Sequence, residues 1–363
     1  MGLAAPVRRL EMKHCVSGCL MVAAIALAVE ATGVAQTGQR AKAQNVPEIP
    51  FESVPNFLKM PPDVYLGESM GVATNSKGHL FVYHRRDDTR LFEFDPTGTF
   101  VREWGEGLYG FEFAHKVRVD KDDNVWAVDE GTNMVIKFNP EGRVVMVLGR
   151  RPEAVEGAVE TPQGDPPPAE RYLFARPTDV AWDPQGNIFV PDGYINHRVV
   201  KYDKNGRFVR QVGSHLRGTE PYQFNTPHSI AVDAQGNVYV ADRGNARIQV
   251  FDNNLVLRAI YDNVGNPWEL CISPGPHQYL FSSNSNPDAN PAASWATSGE
   301  IYKMELDGRI VGKFGRAGKA LGQFQTVHGI DCRNPDEIVV SEISAWRVQK
   351  IRLRPANTTT SSR

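Results

Sequence analysis

YQFNTPHSIAVDAQGNVYVADRGNARIQVF, from Tyr222 to Phe251, reads as one complete structural unit. SIAV is a short apolar strand and Asp233-Ala-Gln-Gly-Asn237 a tight turn. VYVAD is a second strand, Arg243-Gly-Asn-Ala246 a polar connection, and RIQVF a third strand with alternating faces. Relatives of this unit recur on both sides of it. Their first strands are anchored at Val72, Val117, Val180, Ile230, Leu270 and Ile330, at intervals of 45, 63, 50, 40 and 60 residues. Polar turns follow the anchors: NSKGH at 75–79, DKDDN at 120–124, DPQGN at 183–187 and DAQGN at 233–237. The second strands are LFVYH, VWAVD, IFVPD, VYVAD, YLFSS and EIVVS, and the third are RLFEF, MVIKF, RVVKY, RIQVF, EIYKM and RVQKI. Most copies turn again through DPTG, NPEG, DKNG or LDG into a fourth strand ending near Trp104-Gly, Leu148-Gly, Val212-Gly or Phe314-Gly.

Six copies of a four-stranded unit predict an all-β chain folded as a six-bladed β-propeller over residues 52–355. The last copy has only three strands, so residues 52–61 are expected to supply its fourth and close the ring, which removes an exposed edge. Two long intervals hold Pro-rich insertions, 151–172 and 274–298, expected over one face of the disc. Asp120-Lys-Asp-Asp-Asn124 resembles a calcium loop, but it fills the same slot as DAQGN and lacks the Gly and distal Glu of an EF-hand, so it reads as a turn. The tail, 356–363, is expected to be disordered.

The first 35 residues read as a signal peptide. Arg8, Arg9 and Lys13 precede the apolar run Leu20 to Val29, and small residues lead to a cleavage site after Ala35; residues 36–51 are a linker. The run is too short to span a bilayer, which needs about 20 residues. The mature chain is therefore expected to be exported and monomeric, with no membrane span. A net charge of −2, with 40 basic and 42 acidic residues and no long run of one sign, excludes a nucleic-acid surface. Cys271 and Cys332 fall on opposite faces of equivalent strands, and the expectation is two buried thiols.

Four residues after the Phe that precedes a first strand lies a residue entering the central channel. Phe111 leads to His115, Phe174 to Thr178, Phe224 to His228 and Phe324 to His328; blades one and five place Met70 and Trp268 there. Histidine thus occupies alternate blades. In a six-bladed ring such blades are related by a third of a turn, so three imidazoles converge on the axis at one height. One such histidine is most often a packed residue bonded to a carbonyl, whereas three form the ligand set of a metal centre, with zinc the foremost candidate. Loops opening on the same face carry His84-Arg85-Arg86-Asp87, Asp192-Gly193-Tyr194 and Asp242-Arg243. An arginine there can hold a substrate carboxylate, and a tyrosine beside a metal and an arginine can have its pKa lowered enough to act as a base.

The G-x-F-x-x-P-x-x-[IV]-A-V-D character of QFNTPHSIAVD resembles NHL repeats. FARPTDVAWDPQGNIFVPDGYINHRVVKYDKNGRFVRQVG followed by PHSIAVDAQGNVYVADRGNARIQVF is similar to the lyase domain of peptidylglycine α-amidating enzymes, a similarity that runs from about Met70 to Leu353. That family cleaves a peptidyl-α-hydroxyglycine to a peptide amide and glyoxylate. The resemblance implies zinc on His115, His228 and His328, proton removal by Tyr194, substrate orientation by Arg85 and Arg243, and a peptide or small-molecule substrate. It also implies a structural calcium on the carbonyls of Val72 and Val117 and on an Asp directly after the third histidine. Here that residue is Gly329, and a family Met two residues before the third histidine is Thr326. The family's disulfide cysteines are replaced at Ala175, Ile195, Tyr239 and Val250. A non-catalytic propeller binding a protein or glycan through its top loops is the alternative reading. A metal-dependent lactonase ranks below both, because such sites rely on carboxylate and amide ligands.

Overall fold

The computed structural model describes residue 42 and residues 45–151, 169–285 and 299–354. The leader over 1–35, most of the first insertion, residues 286–298 of the second and the tail lie outside the described residues.

The chain is built of antiparallel strands. β1 (Phe51–Val54) stands apart at the start. Blade one is β2 (Glu68–Thr74), β3 (Leu80–Arg85), β4 (Thr89–Phe94) and β5 (Phe100–Trp104). Blade two is β6 (Ala114–Val119), β7 (Val125–Asp129), β8 (Met134–Phe138) and β9 (Val144–Gly149). Blade three is β10 (Ala181–Trp182), β11 (Ile188–Asp192), β12 (His197–Tyr202) and β13 (Phe208–Ser214). Blade four is β14 (Pro227–Val232), β15 (Val238–Asp242), β16 (Arg247–Phe251) and β17 (Leu257–Tyr261). Blade five is β18 (Pro267–Ile272), β19 (Tyr279–Asn284), β20 (Glu300–Glu305) and β21 (Ile310–Phe314). Blade six is β22 (Val327–Asn334), β23 (Glu337–Glu342) and β24 (Arg347–Leu353), completed by β1. This is the six-bladed propeller read from the repeat. The closing strand is shorter than the sequence implied: only Phe51 to Val54 pair with β24, from Phe51 opposite Leu353 to Val54 opposite Lys350.

The core divides into six apolar clusters, each lying between two neighbouring blades. Phe81, Tyr83, Leu91 and Trp104 of blade one meet Val117, Ala127, Ile136 and Phe138 of blade two. The other faces of blade one, Val72, Val82, Phe92 and Phe94, meet Val339 of blade six. A middle strand therefore buries both faces, which is why VWAVD and VYVAD read as continuous apolar runs. The outermost strands carry water-facing positions, as in Phe100–Trp104. Full burial of a side chain such as Phe81 contributes roughly 2–3 kcal/mol.

The turns follow their sequence chemistry. Asp120 Oδ1 accepts the backbone N–H groups of Asp122 and Asn124, as Asp183 and Asp233 do in their own blades. DKDDN is thus a turn like its counterparts.

One expectation is overturned. Cys271 and Cys332 form a disulfide, with Cα atoms 6.0 Å apart. Placing the two residues on opposite faces of their strands treats each blade alone. Neighbouring blades stack face to face, so opposite faces of β18 and β22 are the ones that look at each other.

Candidate metal centre

Each channel residue is set by two local features. The first is a bulge at the start of the innermost strand. Pairing of β6 with β7 skips from Ala114 to Lys116, that of β14 with β15 from Pro227 to Ser229, and that of β22 with β23 from Val327 to Gly329. The skipped residues are His115, His228 and His328, and a bulge of this kind re-aims a side chain. The second is a carboxylate at the end of the next strand, which accepts backbone N–H groups of the loop just before the bulge. Asp129 takes Glu112 and Phe113, Asp242 takes Asn225, and Glu342 takes Gln325. Asp192 does the same for Ala175, so Asp192 and Asp242 serve the scaffold.

The three imidazoles meet as the alternation required. Their ring centroids stand 4.8, 4.7 and 4.8 Å apart, and their ligand nitrogens all lie within 4.8 Å of one another. All three side chains are fully buried. Each Nδ1 donates to a carbonyl on the next blade at the equivalent position: His115 to Thr178 O at 2.5 Å, His228 to Trp268 O at 2.6 Å, His328 to Met70 O at 2.6 Å. The odd-numbered blades thus fix the tautomer that leaves Nε2 free for a metal. Burial, reinforced by nearby Lys116, Arg85 and Arg243, holds all three histidines well below the ordinary imidazole pKa, so they are neutral and ligand-ready at pH 7. Nε2 of His328 is buried without a hydrogen-bond partner, as expected of an atom that ligates. These residues fit a metal ion.

Tyr194 lies across the ring of imidazoles. Its hydroxyl is 3.1 Å from Nε2 of His115 and 3.1 Å from Nε2 of His228. Burial pushes its pKa up to about 12, and Arg243 opposes that rise more than any other charge. Without a metal, burial thus outweighs the lowering that sequence reasoning assigned to this tyrosine.

The two arginines differ in their surroundings. Arg243 stacks over Trp268, 4.2 Å from the ring centroid, and over Tyr194 at 5.4 Å; among the described residues its guanidinium has no hydrogen-bond or ion-pair partner. Arg85 is engaged: Nε donates to Glu68, Nη1 to Ala114 O at 3.1 Å, and the guanidinium lies 3.5 Å from the Phe113 ring centroid. Arg243 is the open fork of the site.

Sequence reasoning missed a second ion pair here. Glu130, just past β7, is 2% exposed and bonds Arg176, with Oε2 at 3.8 Å from Nε2 of His115. Arg176 in turn lies 5.0 Å over the Tyr194 ring. Burial pushes the Glu130 carboxyl up, and Arg176 and Arg85 oppose it. The one signal was position: both residues flank a channel slot.

The calcium site that the resemblance implies lacks its side-chain ligand, because Gly329 carries no carboxylate. A Cβ on Gly329 would lie 2.4 Å from Ser341 Oγ and 3.1 Å from Gly71 Cα, so a larger residue would need its neighbours to shift. Beside Gly329 the backbone already holds a cation, because Lys116 Nζ donates to His328 O at 2.6 Å. The residues present do not form the calcium site that the resemblance implied.

Comparison with known proteins agrees with this architecture. The NHL repeat model matches residues 224–251, the stretch from which the fold was read. Peptidylglycine α-amidating monooxygenase of Rattus norvegicus is 31% identical over 284 residues, covering 67% of this chain and 27% of that protein. Peptidyl-α-hydroxyglycine α-amidating lyase 1 of Drosophila melanogaster is 26% identical over 330 residues, covering 79% of this chain and 57% of that protein. The chain thus spans about a quarter of the rat protein and just over half of the fly protein. Among solved structures, a gluconolactonase from Xanthomonas campestris superposes with a TM-score of 0.53 at 15% identity, covering 87% of this chain and 97% of its own. A streptogramin B lyase superposes at 0.51 and 14% identity, covering 84% and 98%. These two likenesses concern the fold alone.

Proposed function

We propose, from the premise that this chain is an NHL-repeat six-bladed β-propeller resembling the peptidyl-α-hydroxyglycine α-amidating lyases, that it is an exported, zinc-dependent lyase. Its substrate is an N-acyl-α-hydroxyglycine, which it cleaves to an amide and glyoxylate. The observation that carries this reading is three neutral, buried imidazoles around one point with a tyrosine hydroxyl 3.1 Å from two of them. The all-imidazole donor set suits zinc. The Cys271–Cys332 disulfide supports an oxidising compartment, and among the described residues no helix is long and apolar enough to cross a membrane.

Arg243, free and stacked on Trp268, takes the substrate carboxylate through its planar fork. Arg85 is fixed by Glu68 and Ala114 and contributes charge at the rim. His115, His228 and His328 would hold the zinc, which when bound would supply a Lewis acid easing loss of the α-hydroxyl proton. With that metal bound and Arg243 beside it, Tyr194 would act as the phenolate, receiving that proton at its phenolic oxygen and delivering it to the amide nitrogen. The C–O bond becomes a carbonyl, the C–N bond breaks, and the products are the amide and glyoxylate, with no net proton change. Burial of the three histidines, with Tyr194 half-buried beside them, limits competition from water.

The test is metal content of the mature protein followed by glyoxylate release from a small N-acyl-α-hydroxyglycine. The expected result is one zinc per chain, with glyoxylate release falling by about 10²–10⁴ in Tyr194→Phe while zinc is retained. Zinc-loaded protein that releases no glyoxylate would overturn the lyase reading and leave the metal centre.

A further inference from the structure

One step further along the innermost strands than the histidines, five blades meet in a buried charge cluster. Lys116 donates to Glu269 and to His328 O. Arg118 forks onto Asp179 at 2.9 and 2.6 Å, and also reaches Glu269 Oε1 at 2.8 Å, Ser229 Oγ at 3.2 Å and Leu270 O at 3.2 Å. Ser229 returns a hydrogen bond to Asp179 at 2.7 Å. Lys116, Asp179 and Glu269 are all at most 1% exposed. The two cations come from blade two, and their acceptors come from blades three, four, five and six. Buried charges persist when paired and hydrogen-bonded. Lys116, Arg118 and Asp179 are both, and Glu269 is ion-paired at both oxygens but hydrogen-bonded only through Oε2.

We propose that Lys116 and Arg118 are a built-in replacement for a structural divalent cation at the channel floor, and that Lys116 positions the metal ligand His328. A divalent ion would draw carbonyls and carboxylates of several blades to the axis. The ammonium and guanidinium draw on the same donor types, including the carbonyl of the third histidine. Gly329 is compatible with this arrangement, since a Cβ there would press on Ser341 Oγ at 2.4 Å and on Gly71 Cα at 3.1 Å. A tethered cation is always present, so the ring's stability does not vary with calcium concentration as a ligand-stabilised fold would. Asp331 is the acidic group on β22 that also faces Arg118; its Oδ2 has no partner, burial pushes its carboxyl up, and Thr74 and Arg118 oppose that. It is the donor that a calcium ion would have to recruit.

The experiment uses the metal-loaded mature protein prepared in calcium-depleted buffer, measuring calcium content and the melting temperature before and after adding calcium chloride. No retained calcium and an unmoved melting temperature are expected. Lys116→Met should lower the melting temperature by roughly 10 °C, because Glu269 Oε2 loses its hydrogen-bonded cation and Arg118 alone is left to pair the carboxylate. It should also weaken metal retention at the histidines about tenfold. Adding Glu269→Gln should restore much of the melting temperature but not the metal affinity, since the His328 carbonyl stays without its donor. Calcium retained at one per chain, or a rise in melting temperature on adding it, would overturn the proposal and point to Asp331. So would a Lys116→Met protein with unchanged melting and metal retention. Should that variant fail to fold, the calcium measurements on the unaltered protein and the milder Lys116→Arg, expected to keep most of the metal affinity, still decide. The floor proposal does not depend on the lyase reading.

Discussion

Arg243 and Arg85 carry the same fork, yet among the described residues only Arg85 has hydrogen-bond partners for its guanidinium. A guanidinium stacked on an indole and free of ion pairs is pre-organised for a planar carboxylate. Arg243→Lys keeps the charge and loses the fork and the stacking. In steady-state kinetics on the proposed hydroxyglycine substrate, it is expected to raise KM at least about tenfold with a smaller loss in kcat, the pattern of lost ground-state binding. A loss confined to kcat would move the carboxylate elsewhere. The three histidines were legible at this scale because a repeat supplies its own ruler, and counting from Phe111, Phe224 and Phe324 lands on each. Glu130, Arg176 and Lys116 were not. Their slots carry no repeated residue type, and their importance comes from partners on other blades, such as Glu269, distant by 153 positions from Lys116.

The strands themselves could be read from composition, but their facing could not. Alternation tells which side of one strand a residue takes, whereas the disulfide depends on which side of the next blade looks back. Cys271 and Cys332 bracket 61 positions of chain, and a crosslink of that span restricts the unfolded state by up to about 4 kcal/mol. The paired Cys271→Ser, Cys332→Ser variant should therefore unfold at lower urea concentration with a loss of about 2–4 kcal/mol. An unchanged midpoint would mean that the blade interface alone holds β18 against β22. The bulges that aim the histidines were equally hidden. A bulge leaves the sequence period intact on one strand and shows only in its pairing with another, as between Pro227 and Ser229.

At the scale of the whole ring, acid sensitivity follows from histidines that the propeller buries without charge. Burial lowers His84 to about 4, with Arg90 adding to it, and lowers His197 to about 4, with Arg217 adding to it. The unfolded chain takes up these protons near pH 6.5 and the folded one near 4, so stability is full above about 6.5 and drains as pH falls toward 4. His84 offers the cleaner probe, since Nε2 is buried without a partner and the ring packs 4.5 Å from Phe92. Relative to the parent, His84→Phe should gain roughly 2 kcal/mol between pH 7 and pH 4 in urea unfolding of the metal-free protein. Taking the difference cancels carboxyls that burial pushes up, such as Asp331. A gap between the two proteins that stays constant with pH would contradict the assignment. The six-bladed ring and its axis were readable because one unit repeats. The charge cluster at the floor was not, since no single blade contains it.

The pairing of β1 with β24 also governs when the molecule becomes itself. Phe51 meets Leu353, so among the described strands the earliest waits for the latest. Blades one to five complete their sheets from consecutive chain as it appears, while the sixth stays open until β24 has been synthesised. Contacts this far apart in sequence form slowly, and until they form β1 and β24 are unsatisfied strand edges. The third histidine stands on that sixth blade. Synthesis therefore delivers scaffold first and the complete set of three histidines last, which keeps an incomplete chain from presenting the assembled cluster.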